Sequence, residues 1–463
     1  MIRTHQHHHR CGPARARQAA LTALLALSAC AGFTARPLPD ATSTVTDVRD
    51  LKADAASLRL EPLKAIVVDA RDGLDPDELA VLAVLNSPDL RARRAAAGVS
   101  QAQVFAAGLL PDPQIAANLD IPTMTAPGIS TAYTLAASLD LQALLTRSAT
   151  LGAAKASGRQ VDLNLLWSEW GAAQQARQLA ETAMADEAKA ALLGQVRDRA
   201  AERYAHVQAA LTRGDVASQS ASADLAVKLD AANLAAAAAH DAAKARRDLN
   251  ALLDLKPEVI LPLAPAPDGE LYPQDRLDDA LKAVAARRPD LLALKAGYEA
   301  EDANLRKAIL MQFPLLNVGY SRARDTSFVT TNGGSATLAL PIFNGGRGTI
   351  RVERATREQL RAEYQARLDQ TEAEAQGARA ELAGALAQVA LLATDTPRLA
   401  AMADRAGAAY ARGDIDSQAY LALEQNALSR KAELADKRLA ARLAEIALET
   451  SLFLPPAPAG ATP

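Results

Sequence analysis

The chain has 463 residues, with 51 basic and 54 acidic side chains and a formal net charge of −3. Hydrophobic residues make up 49% but aromatic ones only 3%, so alanine and leucine supply the apolar content, as in long, closely packed helices rather than in an enzyme core built on Phe, Tyr and Trp. The charge balance excludes a generic basic nucleic-acid binder, and no run of about 18 uncharged apolar residues is present to cross a bilayer as a helix.

Residues 1–29 have the order of a secretory leader. Arg3, Arg10, Arg15 and Arg17 precede the apolar run Ala19 to Ala29, and no acidic residue occurs before Asp40. The run ends Leu27-Ser28-Ala29-Cys30, which resembles a bacterial lipobox, in which the cysteine is acylated and becomes the first residue of the mature chain. The alternative is ordinary cleavage near Ala29 with Cys30 left as a free thiol, a liability in an oxidising compartment. By the same resemblance, Ala31 in place of Asp favours delivery to the outer membrane. Cleavage removes Cys11 and the histidines 5, 7, 8 and 9, so that cluster is read as part of a discarded leader and not as a metal tract. It also removes four arginines, leaving 47 bases against 54 acids, a net of −7. Residues 30–72 carry several Pro and Thr with little periodicity and read as a lipidated, extended tether.

A first unit spans about residues 73–255. Asp75-Pro76-Asp77-Glu78 carries a helix cap, a proline at the first helical position and a capping box. Ser87-Pro88 restarts a helix to about Leu109, which Pro111 and Pro113 stop. Period-two alternation follows: Ile115, Ala117, Leu119 and Ile121 oppose Gln114, Ala116, Asn118 and Asp120. After a loop it resumes, with Tyr133, Leu135, Ala137, Leu139 and Leu141 opposing Ala132, Thr134, Ala136, Ser138 and Asp140. Both segments are predicted strands. From about Ser148 to Leu211 the pattern is helical without a proline, and Arg213-Gly214-Asp215 separates this helix from a second one ending near Leu253.

The chain then repeats itself. Pro88-Asp89-Leu90 recurs as Pro289-Asp290-Leu291, 201 residues on, and Pro113 meets Pro314 at the same offset. Arg213-Gly214-Asp215-Val216-Ala217-Ser218-Gln219 recurs as Arg412-Gly413-Asp414-Ile415-Asp416-Ser417-Gln418, 199 residues on. Biased composition can mimic Ala/Leu matches, but not these anchors in the same order at nearly constant offset. The second unit is placed at 274–453, joined to the first by a Pro-rich linker at 256–273 and followed by a tail at 454–463. It predicts helices at 275–287 and 289–311, strands at 314–322 and 334–342, and long helices meeting at Arg412-Gly413-Asp414. A kink or break is expected at Asp395-Thr396-Pro397.

Strands of about nine to eleven residues with one apolar face have the length and polarity of tilted barrel strands. Four per chain cannot close a barrel, and open edges in lipid leave backbone groups unsatisfied, so chains must pool their strands. The competing reading is a soluble hairpin pair packed on a helix. Aromatic residues near the strands are few: Tyr133, Phe313, Tyr320, Phe328 and Phe343.

These features resemble the TolC family, the outer-membrane channels of bacterial tripartite efflux systems, across nearly all of the mature chain. They are the tandem repeat, the Pro-Asp-Leu helix starts, the approaches Leu110-Pro111-Asp112-Pro113 and Phe313-Pro314, and above all Leu340-Pro341-Ile342-Phe343-Asn344-Gly345-Gly346-Arg347. Pro341 suits a strand end, and Gly345-Gly346 lets the chain swivel from strand to helix. The first unit has Leu141 to Arg147 there, without the glycine pair. The resemblance implies a mainly α fold with a small β part. Three chains would pool strands into a 12-stranded barrel in outer-membrane lipid, over a coiled-coil tunnel in the periplasm. It implies that the helix tips, Arg213, Gly214, Asp215 and Val216 with Arg412, Gly413, Asp414 and Ile415, meet a periplasmic adaptor and open with it, next to an inner-membrane pump of RND type. Asp215, Asp414 and Asp416 are candidates for the pore aperture, where a ring of carboxylates attracts cations. Helix capping explains them equally well.

No catalytic motif is present: no phosphate-binding loop, no paired metal-ligand histidines and no nucleophile elbow. The chain is therefore read as a passive duct rather than an enzyme, with no cofactor, no resident metal and no nucleic acid. His206 and His240 are lone helical residues, and Met124, Met184, Met311 and Met402 are scattered. The alternatives are a periplasmic adaptor lipoprotein, which carries one helical hairpin inside flanking β domains, and a structural coiled-coil lipoprotein. The acidic mature chain and the tip aspartates lean the cargo reading toward metal cations over drugs or other small molecules.

Overall fold

A computed structural model of the chain describes residues 33–124, 126–266 and 271–456. The leader, Cys30, linker residues 267–270 and most of the C-terminal tail lie outside the described residues. Residues 33–43 belong to a separate unit from the remainder; they are exposed and carry neither helix nor strand.

The larger unit contains two repeats of one element order. In the first, α1 (Pro76–Asn86) and α2 (Pro88–Gly108) lead into β1 (Gln114–Asp120), β2 (Ala132–Asp140), α3 (Leu141–Arg213) and α4 (Ser218–Leu252). In the second, α5 (Gln274–Arg287) and α6 (Pro289–Leu310) lead into β3 (Leu315–Arg324), β4 (Thr330–Ala339), α7 (Arg347–Ala411) and α8 (Ser417–Leu452). The capping box at α1 forms as its sequence requires: Asp75 accepts from the amides of Asp77 and Glu78, and Glu78 accepts from that of Asp75. α3 has 73 residues, about 110 Å of helix.

The core lies where the short helices meet the middle of the long ones. Leu79, Leu82 and Ala83 of α1 pack on Ala176 and Ala180 of α3 and on Leu249 at the end of α4. In the second repeat, Leu277 and Ala280 of α5 pack on Ala375 and Ala378 of α7 and on Leu448 and Leu452 of α8. Fully buried Trp170 of α3 bridges the repeats, with its ring edge-on to Phe453, centroids 4.9 Å apart. Alanine at the helix contacts lets backbones approach closely, which is how a chain with 3% aromatic residues builds a core.

Two expectations are corrected and a third is narrowed. Residues 44–72 are not an extended tether. Three short 3-10 turns bring Leu51, Ala55, Leu58, Leu60 and Leu63 into the core beside α1 and α3, and Val45 pairs with Leu255. The strands predicted at 314–322 and 334–342 lie at 315–324 and 330–339. The cause is Asp325, whose carboxylate accepts from the amides of Ser327 and Val329 and closes a tight turn, so pairing starts at once with Arg324 opposite Thr330. No break occurs at Pro397: α7 runs through it. Proline removes one helical hydrogen bond, and the remaining bonds of a 65-residue helix packed along α8 keep it continuous.

Candidate functional site

The four strands form one antiparallel sheet in the order β1-β2-β3-β4. Antiparallel partners share a face, and the register aligns every apolar stripe on the same side. Ile115 faces Ala137, Leu119 faces Tyr133, Leu139 faces Val318 and Leu316 faces Leu338. The opposite face carries Gln114, Asn118, Asp120, Thr134, Ser138, Asp140, Asn317, Ser321, Ser335 and Thr337. The chain's own interior does not cover the apolar side: Ile115, Leu119, Leu135, Tyr320 and Leu338 are all more than half exposed. β1 and β4 each have one strand partner and so one open edge.

The two repeats leave the sheet differently. β2 ends at Asp140, whose carboxylate caps α3 by accepting from the amide of Gln142 at 2.8 Å. β4 ends at Ala339, two residues before Pro341, and a turn leads to α7. Gly345 and Gly346 lie at φ +55 and +67, a region that penalises any side chain, and Gly346 is the residue from which α7 starts. The backbone turns from the strand end toward the helix at this pair.

At the far end of the long helices both repeats close with the same motif. Gly214 has φ +82 and Gly413 φ +80. The amides of Gly214 and Asp215 reach back to Leu211 and Ala210, and those of Gly413 and Asp414 to Tyr410 and Ala409, a glycine cap that satisfies the last carbonyls. Arg213 Nε donates to Asp215 at 2.8 Å, and Arg412 Nε donates to Asp414 at 2.8 Å. Val216 and Ile415 are half-buried and the remaining tip residues are exposed. The three aperture candidates thus differ. Asp215 and Asp414 are held by the arginine two residues before them. Asp416 caps α8 through the amide of Ala419 at 2.7 Å; the first repeat has Ala217 there and no side-chain cap.

Sequence reading missed a ladder of ion pairs between the repeats. Descending α3 and ascending α8, Arg177 pairs with Glu449 (2.6 Å), Glu181 with Arg442 (3.2 Å), Lys189 with Asp436 (2.9 Å) and Arg199 with Glu424 (3.1 Å). At the core end the side chains of Arg177 and Glu449 are 5% and 2% exposed, and at the tip end that of Arg199 is 41% exposed. The core-end pair is reinforced by Asp77 of α1, 2.7 Å from Arg177. Burial pushes the Asp77 carboxyl up despite the guanidinium beside it, and Asp75 adds to the rise. Near the tip end, Tyr420 stacks on Tyr410 with ring centroids 5.2 Å apart. Burial, followed by a hydrogen bond to Glu424, raises the Tyr420 hydroxyl. α3 runs about 20 Å beyond Arg199 to its tip, and α8 reaches about 10 Å beyond Glu424 to its start at Ser417. No local pattern reveals partners some 225–270 residues apart in the chain.

Among the described residues no group of three or more potential ligands could hold a metal ion, and no helix is long and apolar enough to cross a membrane. No protein-family model and no curated protein matches the chain. Solved structures do. The CmeC outer membrane channel of Campylobacter jejuni is 14% identical, with TM-score 0.68 over 90% of this chain and 94% of that one. The open state of the Neisseria gonorrhoeae MtrE outer membrane channel is 16% identical, with TM-score 0.66 over 92% and 98%. CusC, described in terms of folding and transmembrane channel formation, is 17% identical, with TM-score 0.65 over 84% and 95%. Tandem repeat, paired long helices and an open four-stranded sheet together give the chain the TolC-like fold of these outer-membrane channels.

Proposed function

We propose that the chain is the outer-membrane exit duct of a tripartite efflux system, a homotrimer anchored through an acylated Cys30. One observation carries the reading. The sheet is polar on one face and apolar on the other, its apolar face is bare, and both its edges are open. Such a sheet meets the demands of lipid only when other chains complete its hydrogen bonds, and three copies give a closed 12-stranded wall. The duct does no chemistry of its own; an inner-membrane pump of RND type supplies the energy. A periplasmic adaptor engages the tips at Arg213–Val216 and Arg412–Ile415, where paired short turns on long helices offer a small, repeated contact.

The cargo is a small molecule or a metal cation. The arginine partners of Asp215 and Asp414 cancel much of their field at the aperture, and Asp416 keeps a carboxylate without a cation partner in its turn. Removing either acid still adds one positive charge near the threefold axis, so Asp414→Ala and Asp416→Ala should each weaken block of channel current by divalent cations. Unchanged block in both would dismiss cation preference at the tips. The duct itself is tested in planar bilayers and by heat-modifiable migration in detergent. Stepwise conductance from a detergent-resistant trimer is expected. A monomer without conductance would instead favour an adaptor or a structural coiled-coil lipoprotein.

A further inference from the structure

We propose that Arg322 and Arg324 form a docking site for the phosphate groups of outer-leaflet lipids, on the outward face of the sheet at its far rim. The inference rests on the membrane reading above. On β3 the residues sharing the apolar face are Leu316, Val318, Tyr320, Arg322 and Arg324. Three apolar positions therefore give way to two cations. Their neighbours in register remain apolar or uncharged: Leu135 and Asn332 beside Arg322, and Tyr133 and Thr330 beside Arg324. The strand acids, Asp120 and Asp140, lie on the opposite, wet face.

Neither arginine is satisfied by the protein. Arg322 is exposed and has no hydrogen-bond or ion-pair partner among the described residues. Arg324 lies over the ring of Phe328, 4.4 Å from its centroid, and makes one long contact of 3.4 Å to Ser130 Oγ. Its Nε is buried without a partner. The nearest acid in sequence, Asp325, spends one oxygen on the amides of its own turn.

Position decides what these cations meet. The helices α3 and α7 leave one end of the sheet, and the described residues 121–124 and 126–131 and the turn 325–329 lie at the other. From Leu316 to Arg324 is about 26 Å along the strand, or about 20 Å in height at a tilt of about 40°. Exposed Leu340, Ile342 and Phe343 extend the apolar surface beyond Leu316. The arginines thus stand at the upper edge of a band about 25 Å tall, where an arginine costs little and reaches headgroups, rather than at the midplane, where it costs several kcal/mol. A guanidinium fork matches phosphate oxygens bidentately, and Tyr133 and Phe328 flank the pair with rings suited to the interface.

The test compares flotation of detergent-diluted wild type and R322Q/R324Q with vesicles of phosphatidylcholine alone or doped with lipopolysaccharide. Wild type is expected to prefer the doped vesicles by about fivefold per arginine, with the preference shrinking in high salt but surviving millimolar inorganic phosphate. R322Q/R324Q should enter neutral vesicles as well as wild type and lose the preference, and R322K/R324K should keep most of it. Equal preference in wild type and R322Q/R324Q, no preference in wild type, or displacement by free phosphate overturns the lipid site while leaving the membrane reading intact. Failure of wild type to enter any vesicle overturns both.

Discussion

Glu301 shows how much one side chain can depend on its neighbours. It is buried on α6 with Glu353 of α7 beside it, and its carboxyl is pushed up to about 7, first by burial and then by the hydrogen bond and like charge of Glu353. A carboxyl whose folded value is raised holds a proton that the unfolded chain gives up. Stability therefore declines as pH rises from about 4.5 through 7 and is flat below and above that window. E301Q removes the titrating group while keeping the shape. In thermal melts it should reduce the decline, leaving the share of buried Asp77, and exceed wild type at pH 8 by about 1 kcal/mol, the shift being discounted for solvent screening. A wild-type profile already flat between pH 5 and 8 would contradict this. At this scale the sequence is partly readable. The Asp75–Glu78 capping box and the turn glycines Gly214 and Gly413 follow from local spacing, because their partners lie within five residues. Arg288 does not: its place in an Arg-Pro-Asp helix start is visible, but not its burial under Trp167 and between Asp290 and the Ser451 carbonyl. Trp167 and Ser451 come from elements far away in the chain.

Between elements, the α3–α8 ladder is a graded fastener. At its core end Arg177 is sealed between Glu449 and Asp77, and removing one member of a buried pair strands the other charge, at about 3–5 kcal/mol. At its tip end the pair is more exposed, with Arg199 at 41% and Glu424 at 21%, and a half-exposed pair contributes about 1 kcal/mol or less. R177M should therefore lower the melting temperature of the whole protein. R199Q should leave it nearly unchanged but speed amide exchange in α3 after residue 199 and in α8 before residue 424, freeing the tips while the core holds. The same large loss in both variants would show that the ladder is not graded. The elements themselves were legible wherever a period is sustained, as in α3, β1 and β2. Legibility failed where none exists. Residues 44–72 contribute single leucines from short turns, and the stripe Thr330, Asn332, Gly334, Ala336 and Leu338 gives little contrast with the small residues between them. The break allowed at Pro397 does not occur, since a local breaker cannot stop a helix held along its length by a neighbour.

For the molecule as a whole, everything depends on how two open strand edges are closed. Within a chain, β4 has β3 on one side only. In an antiparallel ladder consecutive amides point to opposite edges, so of Gly334 and Ser335 one donates toward β3 and the other toward the free edge. Proline at either position removes one donor. At one it weakens the hairpin inside the chain, and at the other it strikes only the seam with the next chain. In lipid an unsatisfied backbone group costs several kcal/mol, and in the proposed trimer each loss is repeated three times. Both G334P and S335P should therefore abolish the heat-resistant oligomer, with helical circular dichroism unchanged because the helical core is remote from the sheet. Hydrogen exchange then separates the two: the seam variant keeps protected amides in β3, and the hairpin variant does not. A trimer that survives both substitutions would mean that β4 is not a subunit seam, and that the bare apolar face is covered by something other than lipid around a closed barrel.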